Sequence, residues 1–220
     1  MRLTDQQSQV KPIVRAIQSK WKLMDLVKSI LFTPFYRLYF LVKNVKWQAG
    51  WRIYGKPVIH KTKGSKIVIG KNFTARSWFT CNPIGIDNPV FLTTWNPGAE
   101  IIIGDNVGVS GTVICSYQKI TIGNNVMIGA NARIFDTDFH PIDPGTRRYG
   151  TEDVQVSPVI IGDNVLIGSN SIVMKGVTIG ENSIIGAGSI VVKDIPANCI
   201  AAGNPAKVIK EIMSTKDTDY

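Results

Sequence analysis

Residues 161–191 read IGDNVLIGSNSIVMKGVTIGENSIIGAGSIV, and counting along them by sixes decides the fold. Ile161, Ile167, Val173, Ile179, Ile185 and Val191 fall six apart, and Ala197 continues the series. Upstream, Ile122, Ile128 and Ile134 keep the same step, while Ile103, Val109 and Cys115 precede them with one extra residue before Ile122. The fourth residue after these positions is also small or apolar, as at Val107, Val126, Ala132, Val165, Ser171, Val177, Ser183 and Ser189. In extended chain, residues two apart share a face, so the fifth residue of one hexad and the first of the next point the same way. Between them fall Gly-Asp-Asn, Gly-Asn-Asn and Gly-Glu-Asn clusters, which supply the left-handed or tight backbone of a corner. Short strands turned at every sixth residue, with one inward stripe, describe a parallel β-helix of triangular cross-section, about eighteen residues to a coil. One coil cannot bury its own interior, so each inward Ile contributes roughly 1.5–3 kcal/mol only when stacked on the next. No helix-length pattern separates the strands, which excludes a βαβ reading.

The bulk numbers fit this picture. A chain of 220 residues is long enough for a sizeable core. Its three cysteines, Cys81, Cys115 and Cys199, are odd in number and contain no C-x-x-C pair, which argues for a reducing compartment and against a thiolate metal site. The formal charge of +9 is concentrated: residues 1–48 carry nine Lys/Arg against Asp5 and Asp25. The repeat region has no basic stripe, so no nucleic-acid partner is expected. The first apolar run comes too late for a secretory leader, and Ile30–Val42, interrupted by Pro34 and Arg37, is too short to span a bilayer. A cytoplasmic protein is the expectation.

Three regions follow. Residues 1–55 form a basic, aromatic-rich arm, read as helical over 9–48 with a break near Thr33-Pro34. Residues 56–205 form the solenoid, and residues 206–220 a C-terminal capping helix from Ala206 to Met213, with a frayed tail. The arm fits two uses: a cap over the open first coil or a contact for a neighbouring subunit, and peripheral contact with an anionic membrane through residues 1–50. Capping is the expectation adopted here.

The rhythm is lost for longest at Ile134-Phe-Asp-Thr-Asp-Phe-His-Pro-Ile-Asp-Pro-Gly145, where an aliphatic position is taken by His140. Pro141, Pro144 and Gly145 follow, and the step resumes out of phase at Ile161, so a loop near 141–158 leaves the coil. Long excursions beside a rigid scaffold are common places for a site. Imidazole titrates near neutrality and is suited to accept a hydroxyl proton, and a nearby carboxylate orients it. Asp138 and Asp136 are the two candidates for that carboxylate.

Hexads in this number, together with His140-Pro141 and the C-terminal run from Ile185 to Lys210, resemble the hexapeptide-repeat acyltransferases. The likeness is to the sugar O-acetyltransferase type, such as the maltose, galactoside, colanic acid and capsule O-acetyltransferases. The resemblance implies an all-β, left-handed parallel β-helix, acetyl-CoA as co-substrate, no metal, and a homotrimer with active sites between subunits. It implies His140 as general base with Asp138 beside it. It places Ser169, Ala187, Lys193, Lys207 and Lys210 against the coenzyme. The acceptor implied is a sugar or glycan hydroxyl in surface polysaccharide biosynthesis. An amine on a nucleotide-linked sugar, or a xenobiotic or other small alcohol, is the alternative. Relatives carry an asparagine where this chain has Gly111, which leaves Ser110 and Asp136 as candidate acceptor contacts. A zinc enzyme on the same scaffold, resembling gamma-class carbonic anhydrase, needs three histidines, and only His60 and His140 are present.

Overall fold

The computed structural model describes residues 19–150 and 152–212. The expectations for residues 1–18 of the arm and for the tail from Met213 lie outside them.

Strands recur in threes and stack into three sheets, one per side of the triangle. The first sheet runs β1 (Arg52–Tyr54), β4 (Thr74–Arg76), β7 (Gly108–Ser110), β10 (Met127–Ile128), β13 (Leu166–Ile167), β16 (Ile184–Ile185), β18 (Cys199–Gly203) and β19 (Ala206–Glu211). The second stacks β2 (Val58–Lys61), β5 (Phe91–Thr94), β8 (Val113–Ser116), β11 (Arg133–Phe135), β14 (Ile172–Val173) and β17 (Ile190–Val191). The third stacks β3 (Lys66–Ile69), β6 (Glu100–Ile103), β9 (Lys119–Ile122), β12 (Val159–Ile161) and β15 (Thr178–Ile179). Every neighbouring pair among β1 to β18 is parallel, and the register sets repeat on repeat: Ile161 on Ile179, Ile167 on Ile185, Val173 on Val191. The six-step aliphatics are the core, with Ile134, Ile167, Val173, Ile179 and Ile185 all at 0% exposure. The hand of this β-helix is left.

One corner shows how the sequence turns the chain. In each Gly-Asp/Asn/Glu-Asn cluster, the last asparagine takes the left-handed conformation, with φ of 57° at Asn125, 58° at Asn164 and 59° at Asn182. Their side-chain amides form a ladder along the axis: Asn72 donates to Asn106 at 2.8 Å, Asn106 to Asn125 at 3.0 Å, Asn125 to Asn164 at 3.1 Å, Asn164 to Asn182 at 3.0 Å and Asn182 to Asn198 at 2.9 Å. The middle residue caps the backbone of the preceding coil, as where Asp163 Oδ1 accepts from the Asn124 N–H at 2.6 Å. The glycine is required for close approach rather than for its dihedrals: a Cβ on Gly123 would meet the Asp163 backbone nitrogen at 2.8 Å. Asparagine therefore supplies the positive φ that the sequence reading spread over the whole cluster.

The C-terminal end departs from expectation. Ala206–Glu211 is a strand, not the start of a helix, and pairs antiparallel with β18. An eight-residue apolar and basic run reads as either period, and tertiary context decides. Here β18 ends the first sheet with an open row of N–H and C=O groups, and the turn at Gly203–Pro205 returns the chain alongside them, where hydrogen bonding outweighs helix propensity.

At the other end α1 (Lys20–Val42) lies over the first coil and is unbroken through Pro34. Both halves are held on one surface, by Asp25 and Ser29 before the proline and by Tyr36 and Phe40 after it, which offsets the missing N–H. Phe40 packs edge-on to Trp51 at 5.1 Å, and Trp51 donates through Nε1 to the Gly70 carbonyl at 2.6 Å. Tyr39 Oη accepts from the Ile59 N–H at 3.1 Å, satisfying a donor on the edge strand β2. Asp25 is 8% exposed. Burial pushes its carboxyl up from the ordinary 3.8, with Lys28 and Arg76 opposing.

Candidate active site

The second sheet delivers the chain to the corner where the rhythm fails. After β11 the backbone leaves the coil at Thr137 and returns at Val156, and these two residues bridge antiparallel. The neck is tied by the Asp138 N–H to the Gln155 carbonyl at 3.0 Å and by the Ser157 N–H to the Asp136 carbonyl at 3.0 Å. The excursion therefore begins several residues earlier than the sequence indicates, and His140 stands outside the coil, exposed to solvent. Phe139, immediately before it, has φ of +64°, where the other non-glycine residues with positive φ among the described residues are Asn or Asp. A bulky residue in that region is strained and is kept only where its surroundings demand it. Here the Phe139 N–H bonds Thr137 Oγ1 at 3.1 Å, and the ring meets Phe135 at 5.6 Å. Together these aim the His140 backbone away from the sheet.

The two candidate carboxylates separate cleanly. Asp136 is fully buried, at 0% exposure, and staples the corner between β8 and β9. It accepts from Ser116 Oγ at 2.9 Å and from the backbone N–H groups of Tyr117 at 2.6 Å, Gln118 at 2.9 Å and Lys119 at 2.6 Å. With those bonds made, Asp136 caps the corner from inside the coil, whereas the sequence reading set it among candidate acceptor contacts. Asp138 is half-buried and its Oδ2 pairs with Lys175 Nζ at 3.4 Å. His140 makes no side-chain hydrogen bond among the described residues, so the Asp138–His140 pair is close in sequence but not joined. Lys175 went unnoticed in the sequence. The register that sets Ile134 beside Val173 carries Lys175 to the level of the neck, and that register is its signal.

The expected coenzyme contacts gather mainly on another edge. Ser169 follows β13 and Ala187 follows β16; they are stacked one coil apart, with the Gly188 N–H on the Ser169 carbonyl at 2.8 Å. Gly168 beneath Ala187 leaves the backbones in contact, since a Cβ there would meet the Ala187 nitrogen at 2.4 Å. Lys207 pairs with Ala202 and Lys210 with Ile200. Residues three apart in a strand ordinarily face opposite ways, but the irregularity between Ile200 and Ala201 resets the alternation. Both lysines therefore stand on the outer face of the first sheet, Lys207 beside the Ser169–Ala187 edge and Lys210 farther along the side, level with Ile184. Lys193 is exposed just past β17, on the His140 side of the second sheet. One side of the triangle, at most about 20 Å for six residues, separates the two edges within a chain.

Ser110 belongs to the Ser169 edge, two coils earlier, and is 5% exposed. The neighbouring Gly111 has a physical reason to lack a side chain: its φ is +53°, and a Cβ would meet Asn131 Oδ1, the Asn88 carbonyl and Ile86 at 2.9 Å. The segment between β4 and β5 occupies that space. His60 lies on β2, three strand spacings from β11, or roughly 14 Å, so a single chain does not bring both histidines to one ion. Burial pushes the thiols of Cys81 and Cys115 up to about 11, which leaves them poor nucleophiles.

Residues 119–134 and 158–193 match the family described as the hexapeptide repeat of succinyl-transferase. The Saccharomyces cerevisiae (strain S288c) protein YJL218W, which carries an acetyltransferase name, is 44% identical over 140 residues, covering 63% of this chain and 69% of the yeast protein. Galactoside O-acetyltransferase of Escherichia coli (strain K12) is 42% identical over 137 residues, 61% of this chain and 64% of that one. A solved structure of galactoside acetyltransferase in complex with coenzyme A aligns with TM-score 0.50 and 35% identity, over 78% of this chain and 68% of that one. Coils, corners and these likenesses together make the chain a member of the hexapeptide-repeat acyltransferase family.

Proposed function

We propose that the protein transfers the acetyl group of acetyl-CoA to a sugar hydroxyl, with His140 as general base, in the building of a surface polysaccharide. The observation that carries the reading is the exposed His140 imidazole, held out from the coil by a strained residue at the neck of the excursion. Its relatives support the chemistry, since one is named for galactoside O-acetylation and a solved one holds coenzyme A. In the reaction the acceptor oxygen attacks the thioester carbonyl while His140 takes its proton. The tetrahedral intermediate collapses, the C–S bond breaks, and the imidazolium returns the proton to the departing thiolate. In this reading Asp138, held by Lys175, turns to the imidazole once the acceptor is bound and orients it there.

The two edges support a homotrimer. Within one chain His140 and the Ser169–Ala187–Lys207 edge are a full side of the triangle apart, and a second copy laid alongside brings one edge to the other. The lysines meet coenzyme phosphates as point charges. A cytoplasmic setting, where acetyl-CoA is made, belongs to the same reading.

His140→Ala tests it. Turnover with acetyl-CoA and galactoside or glucoside acceptors should fall at least about 100-fold while the melting temperature holds. Equal turnover in the variant sinks the assignment, and a preference for amino sugars over hydroxyl acceptors would move the reaction to N-acetylation.

A further inference from the structure

The helix over the first coil is laid down inside out. Its buried face is polar and aromatic, made of Asp25, Ser29, Tyr36 and Phe40. Its aliphatic face points to solvent: Leu23 is 40% exposed, Val27 47%, Ile30 63%, Leu31 66%, Leu38 60% and Leu41 72%. At about 100° per residue these six fall within one arc of roughly 100°, running from Leu23 to Leu41 with the exposed Lys20 at its N-terminal end. A helix at a protein surface ordinarily does the opposite. The apolar arc is long enough to be a surface in its own right, yet no helix among the described residues is long and apolar enough to cross a membrane.

Charge says what covers it. Lys28 and Arg37 are nine positions apart, two and a half turns, and so border the arc on opposite sides, both exposed. Lys28 sits over the Trp78 ring at 5.8 Å and Arg37 over the Trp47 ring at 5.5 Å, which holds the two rims in place. The one acid of the helix, Asp25, is buried on the far side. A second copy of this face would bring cation against cation along both rims. A surface of lipid phosphates brings the opposite sign, with acyl chains for the leucines between.

We propose that α1 is an in-plane anchor that seats the first-coil end of the solenoid on an anionic lipid bilayer. The helix is already folded on its scaffold, so insertion does not carry the ordering cost that a free peptide meets. Cations on the rims stay at the headgroups while the aliphatic arc enters the boundary with the acyl chains.

The test uses the whole chain and needs no acetyl acceptor, so its failure is separate from that of the catalytic reading. The protein should sediment with vesicles of phosphatidylcholine and phosphatidylglycerol, not with phosphatidylcholine alone, and should be released as salt is raised. Leu31→Glu with Leu38→Glu should weaken sedimentation at least about tenfold with the circular dichroism spectrum unchanged. Lys28→Glu with Arg37→Glu, which leaves the leucines in place, should do so as well. The proposal is overturned if the parent ignores anionic vesicles, binds both kinds regardless of salt, or binds undiminished in both variants. It is equally overturned if the leucine variant splits an oligomer seen by light scattering, which would give the face to a second copy.

Discussion

Phe139 spends backbone strain to hold its neighbour. Replacing it with glycine relieves the dihedral and forfeits the ring contact with Phe135, two effects of similar size and opposite sign. On the proposed role of His140, Phe139→Gly should therefore leave the melting temperature within a few degrees while kcat falls about tenfold or more, because the backbone that carries the imidazole loses its fixed departure angle. A variant that melts early and turns over normally would assign the strain to stability alone. That the coil is interrupted here was legible in the sequence because His140 breaks a rhythm, although the chain leaves the coil three residues earlier, at Thr137. The choice between Asp136 and Asp138 was not legible, because two residues apart on a strand is the same face by periodicity. What separates them is that the chain has already left the coil by Thr137, so Asp136 is the last residue inside and Asp138 the first outside.

Among the elements, the asparagine ladder and α1 are open to opposite experiments. Asn164 donates to Asn182 and accepts from Asn125 while holding φ of 58°. Asn164→Ala loses both bonds and the tolerance for that φ, a cost of about 2–3 kcal/mol, whereas Asn164→Gly keeps the dihedral free and should cost roughly half as much by chemical denaturation. Asp25 works the other way. Its folded-state carboxyl lies above the ordinary 3.8, so the folded form holds the proton more tightly, and that contribution is lost as pH rises through the raised value. At neutral pH the buried carboxylate is a net cost. Asp25→Asn should raise the melting temperature by roughly 1–3 °C at neutral pH, with the gain vanishing below the ordinary carboxylate value. The coils were readable because each repeats its neighbour's pattern. Neither β19 nor the orientation of α1 was, because both depend on which edge or surface the element meets, and a short window contains no record of its partner.

For the whole molecule, the proposed trimer makes a prediction that no single chain does. If His140 of one chain faces the Ala187 edge of the next, two dead variants should rescue each other. Mixing His140→Ala with Ala187→Trp by co-expression should restore about a quarter of parental turnover, the fraction of intact interfaces given by random assembly. No rescue would place both halves of the site in one chain, across a gap the described residues do not close.

The axial register, Ile161 on Ile179 and Ile167 on Ile185, has a consequence for size. Such a body has no intermediate lengths: six residues more or fewer would rotate everything downstream by a third of a revolution, and only a complete revolution leaves the edges aligned. The height from the basal helix to the last coil is thus counted in whole floors, and lineage change in that height can proceed only one storey at a time.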